Sequence, residues 1–369
     1  MEDIILNIFI ICTAIRLYYY FGIFGKLALY NKRSSLKVTY PVSVIICAMN
    51  EARNLLTNLP SVLEQEYNDF EVIVVNDSSN DETADVLDKF LKKYDNLKVI
   101  TIKNGDDGNI SSGKKLALTS GINAATNDLL LLTDADCAPA GKLWISTMQS
   151  NFMAGIDIIL GYCTYKKTTG LLNKLIRFDA FFVALQYLSF SLIGKTYMGV
   201  GRNLAYRKSL FMKNMGFESH FNIQSGDDDL FVNESATNDN VRIEIQNEAH
   251  TISEAKTTLW DWLLQKRRHL TTGFYYKFNQ KILLGTFYLN CFFFFLALFT
   301  LLSMGYKRNI VLFLFAFQLI LQYVVIKKCM NRLGERDLLL FSPIYELSFL
   351  LFNSFVVLTN LIIKNNKWK

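Results

Sequence analysis

Two clusters of carboxylates carry the sharpest chemistry in this chain. Asp134-Ala135-Asp136 follows Leu129-Leu-Leu-Leu-Thr133, an apolar run that reads as a buried strand. Strand residues two apart point the same way, so the two carboxylates are expected on one side, with small Ala135 between them. They repel each other unless a cation is present. Mg2+ or Mn2+, held by one or two carboxylates plus substrate phosphates, answers that need. The same spacing is common in solvated turns, and it is the strand exit that singles this one out. Further on, Gly226-Asp227-Asp228-Asp229-Leu230 places three acids in a row. Adjacent carboxylates raise each other's pKa, which suits one of them to act as a base. Alone, the run also fits an Asp-rich helix start. A third pattern, Gly108-Asn-Ile-Ser-Ser-Gly113-Lys114-Lys115, fits GxxxxGK, but Lys115 stands where a magnesium-binding Ser or Thr belongs. A Walker-type NTPase is therefore rejected. Lys114 and Lys115 at a helix start suit a phosphate or sugar-nucleotide, and a basic surface helix fits equally.

Strand and helix signals alternate through residues 41–255. Val42–Cys47, Phe70–Val75, Leu97–Ile102 and Asp128–Thr133 read as strands; Asn54–Gln65, Asp81–Lys93 and Gly113–Ala125 read as helices. That order means βαβ units and a parallel sheet. Ligands of such sheets bind outside the carboxyl ends of the strands. The places to look are Ala48–Glu51, Asn76–Ser79 and Asp134–Asp136.

The whole chain has 369 residues, 51% of them hydrophobic and 20% charged, with a net charge of 39 − 33 = +6. Its 29 Phe and 18 Tyr exclude a disordered or fibrous protein, and four Pro argue against a linker-rich array. The six Cys form no CxxC pair, so reduced thiols are expected, and three scattered His give no zinc pattern. Mean hydropathy is +0.19, and the apolar residues gather at the ends. Ile282–Tyr306 and Asn309–Ile326 are uncharged and long enough to span a bilayer; Leu338–Ile363 is interrupted by Pro343 and Glu346. Ile4–Tyr20 is apolar except for Arg16. With Glu2 and Asp3 in place of a basic leader, it reads as an anchor, with Arg16 snorkelling to the inner face. Lys26, Lys32, Arg33 and Lys37 after the first span, and Lys327, Lys328, Arg332 and Arg336 after the third, put those loops and the polar middle in the cytoplasm. Lys364, Lys367 and Lys369 disagree with four full spans, so the last run is left open as one that does not fully cross. Thr257–Leu270 reads as an amphipathic interface helix. Leu171–Ile193 reads equally as a core helix or as a membrane-skimming helix that receives a lipid-linked acceptor.

Taken in order, these motifs resemble the membrane-bound glycosyltransferases of family 2. The matching pieces are Val42–Glu51, Val74–Thr83, Gly113–Leu118, Asp134-Ala-Asp136, Gly199-Val-Gly-Arg-Asn203, Gly226-Asp-Asp228 and Gln265-Lys-Arg-Arg268. The likeness covers roughly residues 40–275. It implies an α/β catalytic domain of the GT-A nucleotide-sugar fold, Rossmann-like with a mixed, mostly parallel sheet, and membrane helices at both ends. The expected layout is an anchor over 1–30, the GT-A domain over 38–255, an interface helix over 256–280 and about three spans over 281–363. By the same resemblance, Asn50, Glu51 and Asp77 line the nucleotide pocket. Asp134 and Asp136 hold the diphosphate, Asp136 through the metal. Asp228 takes the general-base position, with Asp227 the choice if the register shifts by one. Gln265 and Arg268 match the QxxRW element near the diphosphate and acceptor. Departures are Asn76 for the first acid of the usual pair, Cys47 where Pro is common, and His269 for the Trp of QxxRW; the last lowers the odds of a polymer synthase. The implied activity is inverting hexosyl transfer from a nucleotide-sugar, UDP-linked, to a lipid-linked or saccharide acceptor, with Mg2+ or Mn2+ as cofactor. The location implied is a multi-pass protein of the plasma (inner) membrane, facing the cytoplasm, in contact with lipid and not with nucleic acid. The alternatives are a processive polysaccharide synthase and a non-catalytic sugar-nucleotide-binding scaffold.

Overall fold

The computed structural model describes residues 1–31, 38–103, 113–223 and 225–362. Gly108 to Ser112 of the GxxxxGK pattern, the basic residues Lys32, Arg33 and Lys37, Gln224 and the lysines beyond 362 lie outside the described residues. Contacts divide the chain into two compact units. One holds Met1–Asn31, Gly170–Lys195 and the chain from Thr257; the other holds the α/β segments between them.

The α/β unit is built on ten strands: β1 (Val42–Ala48), β2 (Phe70–Asp77), β3 (Leu97–Ile102), β4 (Leu129–Asp134), β5 (Cys137–Pro139), β6 (Ile158–Leu160), β7 (Cys163–Tyr165), β8 (Leu204–Arg207), β9 (Val241–Ile243) and β10 (Thr251–Ser253). Seven form one sheet in the order β3-β2-β1-β4-β8-β6-β9, and β5-β10-β7 form a second. The four strands β3 to β4 run parallel, as the βαβ pattern requires, and β8 is antiparallel to both neighbours. Continuous Val, Ile and Leu in β1, β2 and β4 are buried, as a sheet covered on both faces demands. Register brings the polar strand ends level: Cys47 pairs with Asp134, and Ala48 with Asn76. The helix Lys114–Ala124 packs on β1 and β2 through Gly121, where a Cβ would lie 2.9 Å from Ile45 Cγ2 and 3.0 Å from Val75 Cγ2. Its close approach sets where Lys114, at its first turn, projects.

The other unit is helical. Among the described residues, four helices are long and apolar enough to cross a membrane: Glu2–Ala28, Leu171–Leu192, Phe278–Met304 and Arg308–Leu333. Ser342–Ile362 is not among those four. The sequence pattern placed Leu171–Leu192 inside the α/β region, yet it belongs to the helical unit and is mostly enclosed there. Arg177 on this helix pairs with Glu335 and Asp337, and Asp179 meets Lys266 at 2.8 Å. It is a core helix. Arg16 corrects another expectation. It does not snorkel; it is 1% exposed and meets Glu346 at 3.0 Å and Gln322 at 2.9 Å. Tyr20 adds a hydrogen bond of 2.9 Å to Glu346. A buried carboxylate was within reach, and pairing inside the bundle satisfies both charges.

Candidate active site

The carboxyl ends of β1, β2 and β4 meet the loop that carries the three acids. Lys114 lies between the two acidic clusters, with its Nζ 2.9 Å from Asp134 Oδ1 and 3.0 Å from Asp227 Oδ2. Burial works against its charge, but Asp134, Asp227 and Asp228 more than offset that and hold its pKa well above the usual lysine range. Asp228 turns the other way. Its Oδ2 accepts from the Gly201 N–H at 2.7 Å, and its Oδ1 accepts from the Asp229 N–H, capping the helix Asp229–Ser235. Burial first, then Asp227 and Asp229, push the Asp228 carboxyl up to about 7 against the pull of Lys114 and Gly201. A Cβ at Gly201 would lie 3.3 Å from Asp228 Oδ2 and 3.6 Å from Lys114 Nζ. The backbone there approaches both groups at a distance glycine makes easy.

Asp134 and Asp136 take different partners. Residues 135 and 136 form a turn, so strand alternation ends at Asp134. Asp136 Oδ2 accepts from Ser253 Oγ at 3.4 Å, and Cys137 Sγ donates to its Oδ1 at 3.2 Å. Both acids are hard oxygen donors. No group of three or more His, Cys, Asp or Glu gathers among the described residues. Among the described residues, then, a metal would meet at most two acidic, His or Cys ligands together. That is the donor set Mg2+ and Mn2+ accept when substrate phosphates complete the shell, so the residues fit such an ion.

The nucleotide-side residues form a laced rim. Asn50, at φ 57°, donates its N–H to Ser79 Oγ at 2.9 Å and accepts from the Asn80 N–H at 2.8 Å. The Glu51 N–H donates to Thr83 Oγ1 at 3.0 Å, and the Glu51 carboxylate accepts from Asn54. Asp77 is 1% exposed; burial raises its pKa against a hydrogen bond from Ser78, and its Oδ2 has no partner. Asn76 Oδ1 beside it is likewise buried and without a partner. Two acceptors at one strand end thus await a donor.

Lys115 has another task. Its ammonium donates to the carbonyls of His220 and Ile223, and burial lowers its pKa to about 8. It ties down the loop that leads into Gly226–Asp229 and does not join Lys114 on the acids. Gln265 and Arg268 lie on the helix Leu259–Thr271 of the helical unit. Sequence reasoning quoted Gly199–Asn203 as a motif but gave its members no task. Gly201 holds Asp228, and Asn203 receives Trp144 Nε1 at 3.0 Å while donating to the carbonyls of Tyr162 and Ala249.

Residues 43–214 match the profile of glycosyl transferase family 2. The chain carries a family 2 glycosyltransferase domain. A probable glycosyltransferase, YdaM, of Bacillus subtilis is 36% identical over 109 residues, 29% of this chain and 25% of that one. Poly-beta-1,6-N-acetyl-D-glucosamine synthase of Staphylococcus epidermidis is 33% identical over 95 residues, 26% of this chain and 21% of the relative. The matched stretch thus spans a quarter or less of these relatives' length. A solved mannosyltransferase from Pyrobaculum calidifontis, in complex with GDP-Man and Mn2+, aligns over 94% of this chain and 98% of its own at a TM-score of 0.59 and 17% identity, which is a likeness of fold. In the family 2 domain described here, the mixed sheet is the GT-A sheet, and the cleft at its strand ends is where Lys114, Asp134, Asp227 and Asp228 meet.

Proposed function

We propose that this protein transfers a sugar, with inversion, from a nucleoside-diphosphate sugar to a lipid-linked or saccharide acceptor at the cytoplasmic face of the membrane. The observation that carries the reading is the split between two adjacent acids. Asp227 is occupied by Lys114, while burial and the neighbouring acids push the Asp228 carboxyl up to about 7. A group poised near the working pH is what a general base needs. Asp228 takes the proton of an acceptor hydroxyl. That oxygen forms a bond to the anomeric carbon as the bond to the diphosphate oxygen breaks, and the electron pair leaves with the diphosphate. Lys114 offsets negative charge at the strand ends. Asn50, Glu51 and Asp77 receive the nucleoside, for which uridine is proposed, and the open acceptors of Asn76 and Asp77 support a base that presents N–H groups. Asp134 and Asp136 would hold Mg2+ or Mn2+, which when bound offsets charge on the diphosphate.

The test is a panel of UDP- and GDP-sugars with the purified membrane protein, with and without Mn2+, read as release of the nucleoside diphosphate. One donor is expected to give metal-dependent release that rises with added acceptor. Binding of a donor with no release under any condition returns the chain to a scaffold role. A processive synthase is the second reading, favoured by the relative named for polymer synthesis; products longer than one added sugar would establish it.

A further inference from the structure

The helix Ser342–Ile362 follows two long apolar helices, and its path can be read within the helical unit alone. Asp3, at the start of the first helix, meets Tyr306 at 2.6 Å and Lys307 at 3.3 Å, in the turn between Phe278–Met304 and Arg308–Leu333. That turn and Asp3 share one side of the bundle. Phe278 begins its helix about 40 Å from that side, at roughly 1.5 Å per residue. The amphipathic helix Leu259–Thr271 comes just before Phe278 and so belongs to the opposite side.

Glu346 enters the bundle where Arg16, Gln322 and Cys291 meet it. Six residues later, Phe352 stacks on Trp262 of the amphipathic helix, with ring centroids 4.8 Å apart and planes at 9°. A helix crossing toward Asp3 would by then have risen about 9 Å away from Trp262. This one has moved to it. The remaining face is an apolar stripe. Ile344, Leu351 and Phe355 are exposed, with exposed Leu340 just ahead, while Tyr345, Glu346 and Val356 are buried. On the sequence that flanks this side stand Arg267, Arg268, Lys277, Lys327 and Lys328.

We propose that Ser342–Ile362 does not cross the membrane. It is tethered at Glu346, runs out along the interface helix, and lays the Ile344–Leu351–Phe355 stripe into the acyl boundary of one leaflet, where the flanking cations favour anionic lipid. The lysines at 364, 367 and 369 then fall on the same side as Lys26, Lys327 and Lys328, which removes the charge conflict in the sequence. Nothing in this placement depends on the identity of the donor.

Nitroxide labels on I344C, L351C and F355C, one at a time, in bilayers of phosphatidylcholine and phosphatidylglycerol, read depth from oxygen against nickel-complex accessibility. Wild-type protein labelled in parallel gives the background, since only Cys47 among the native cysteines is more than marginally exposed. The label at 355 is expected no deeper than the label at 344. A crossing helix would carry it about 16 Å on toward the Asp3 side, where a nickel complex confined to that side of sealed vesicles would reach it, and that result overturns the proposal. Labels sealed from both reagents would mean that protein covers the stripe, and overturn it equally. In a second measurement, epitope tags after residue 369 and in the exposed turn at 237–239 are expected to be reached by protease from the same side of sealed vesicles; opposite sides contradict the placement.

Discussion

Lys114 gives two neighbouring acids different surroundings. It pairs with Asp227 and Asp134, and it leaves Asp228 to be held by backbone N–H groups while burial lifts its carboxyl to about 7. The sign for activity follows. A base must be unprotonated, so in the proposed role Asp228 would act above about pH 7 and be lost as pH falls through that value. The rate at saturating donor and acceptor is expected to be flat above pH 8 and to drop about tenfold per unit below pH 6. A pH–rate profile that is level down to pH 5 would take the base role from this residue. The two lysines show what spacing alone could and could not say. Consecutive helix residues project about 100° apart, which sends Lys114 and Lys115 off in different directions. That much was available in the sequence. The carbonyls that Lys115 found at His220 and Ile223 lie more than a hundred residues away, and no local pattern names them.

The elements were legible where their signal is local. Apolar runs that close on polar residues marked β1, β2 and β4, and the structure moves those limits by at most two residues. The second sheet was not legible. Its strands are three residues each, and β10 meets β5 across more than a hundred positions. For that reason the partner of Asp136 could not be foreseen, nor could the turn that parts it from Asp134. The helix Lys114–Ala124 depends on a close approach that a single residue permits. Gly121→Ala adds a methyl against two β-branched side chains that have little freedom to yield. A loss of about 1–3 kcal/mol is expected, despite the better helix propensity of alanine. Chemical unfolding of the purified protein would show it; unchanged or raised stability would mean the helix can shift at no cost.

In the whole molecule, an apolar helical unit is held together from inside by charge. Arg16 and Glu346 come from the two ends of the chain and are both buried. Removing one partner leaves the other buried and unpaired, which costs about 3–5 kcal/mol in such sites. Arg16→Met is expected to lower the unfolding temperature in detergent sharply. The double variant Arg16→Met with Glu346→Gln is expected to recover much of the loss. Equal damage in single and double variants would mean the pair is incidental. The sequence showed an odd charge in the first and last apolar runs but not that the two were partners, because they lie 330 positions apart with no local pattern to link them.

The most direct test is Asp228→Asn, with donor binding and sugar transfer measured on the same preparation. The substitution keeps an acceptor oxygen for Gly201 and removes the titrating carboxylate. Transfer is expected to fall by about 10²–10⁴-fold, with nucleotide-sugar affinity within a few fold of the wild type. Transfer at the wild-type rate would show that Asp228 is not the base, and the proposed chemistry of this cleft would fall with it.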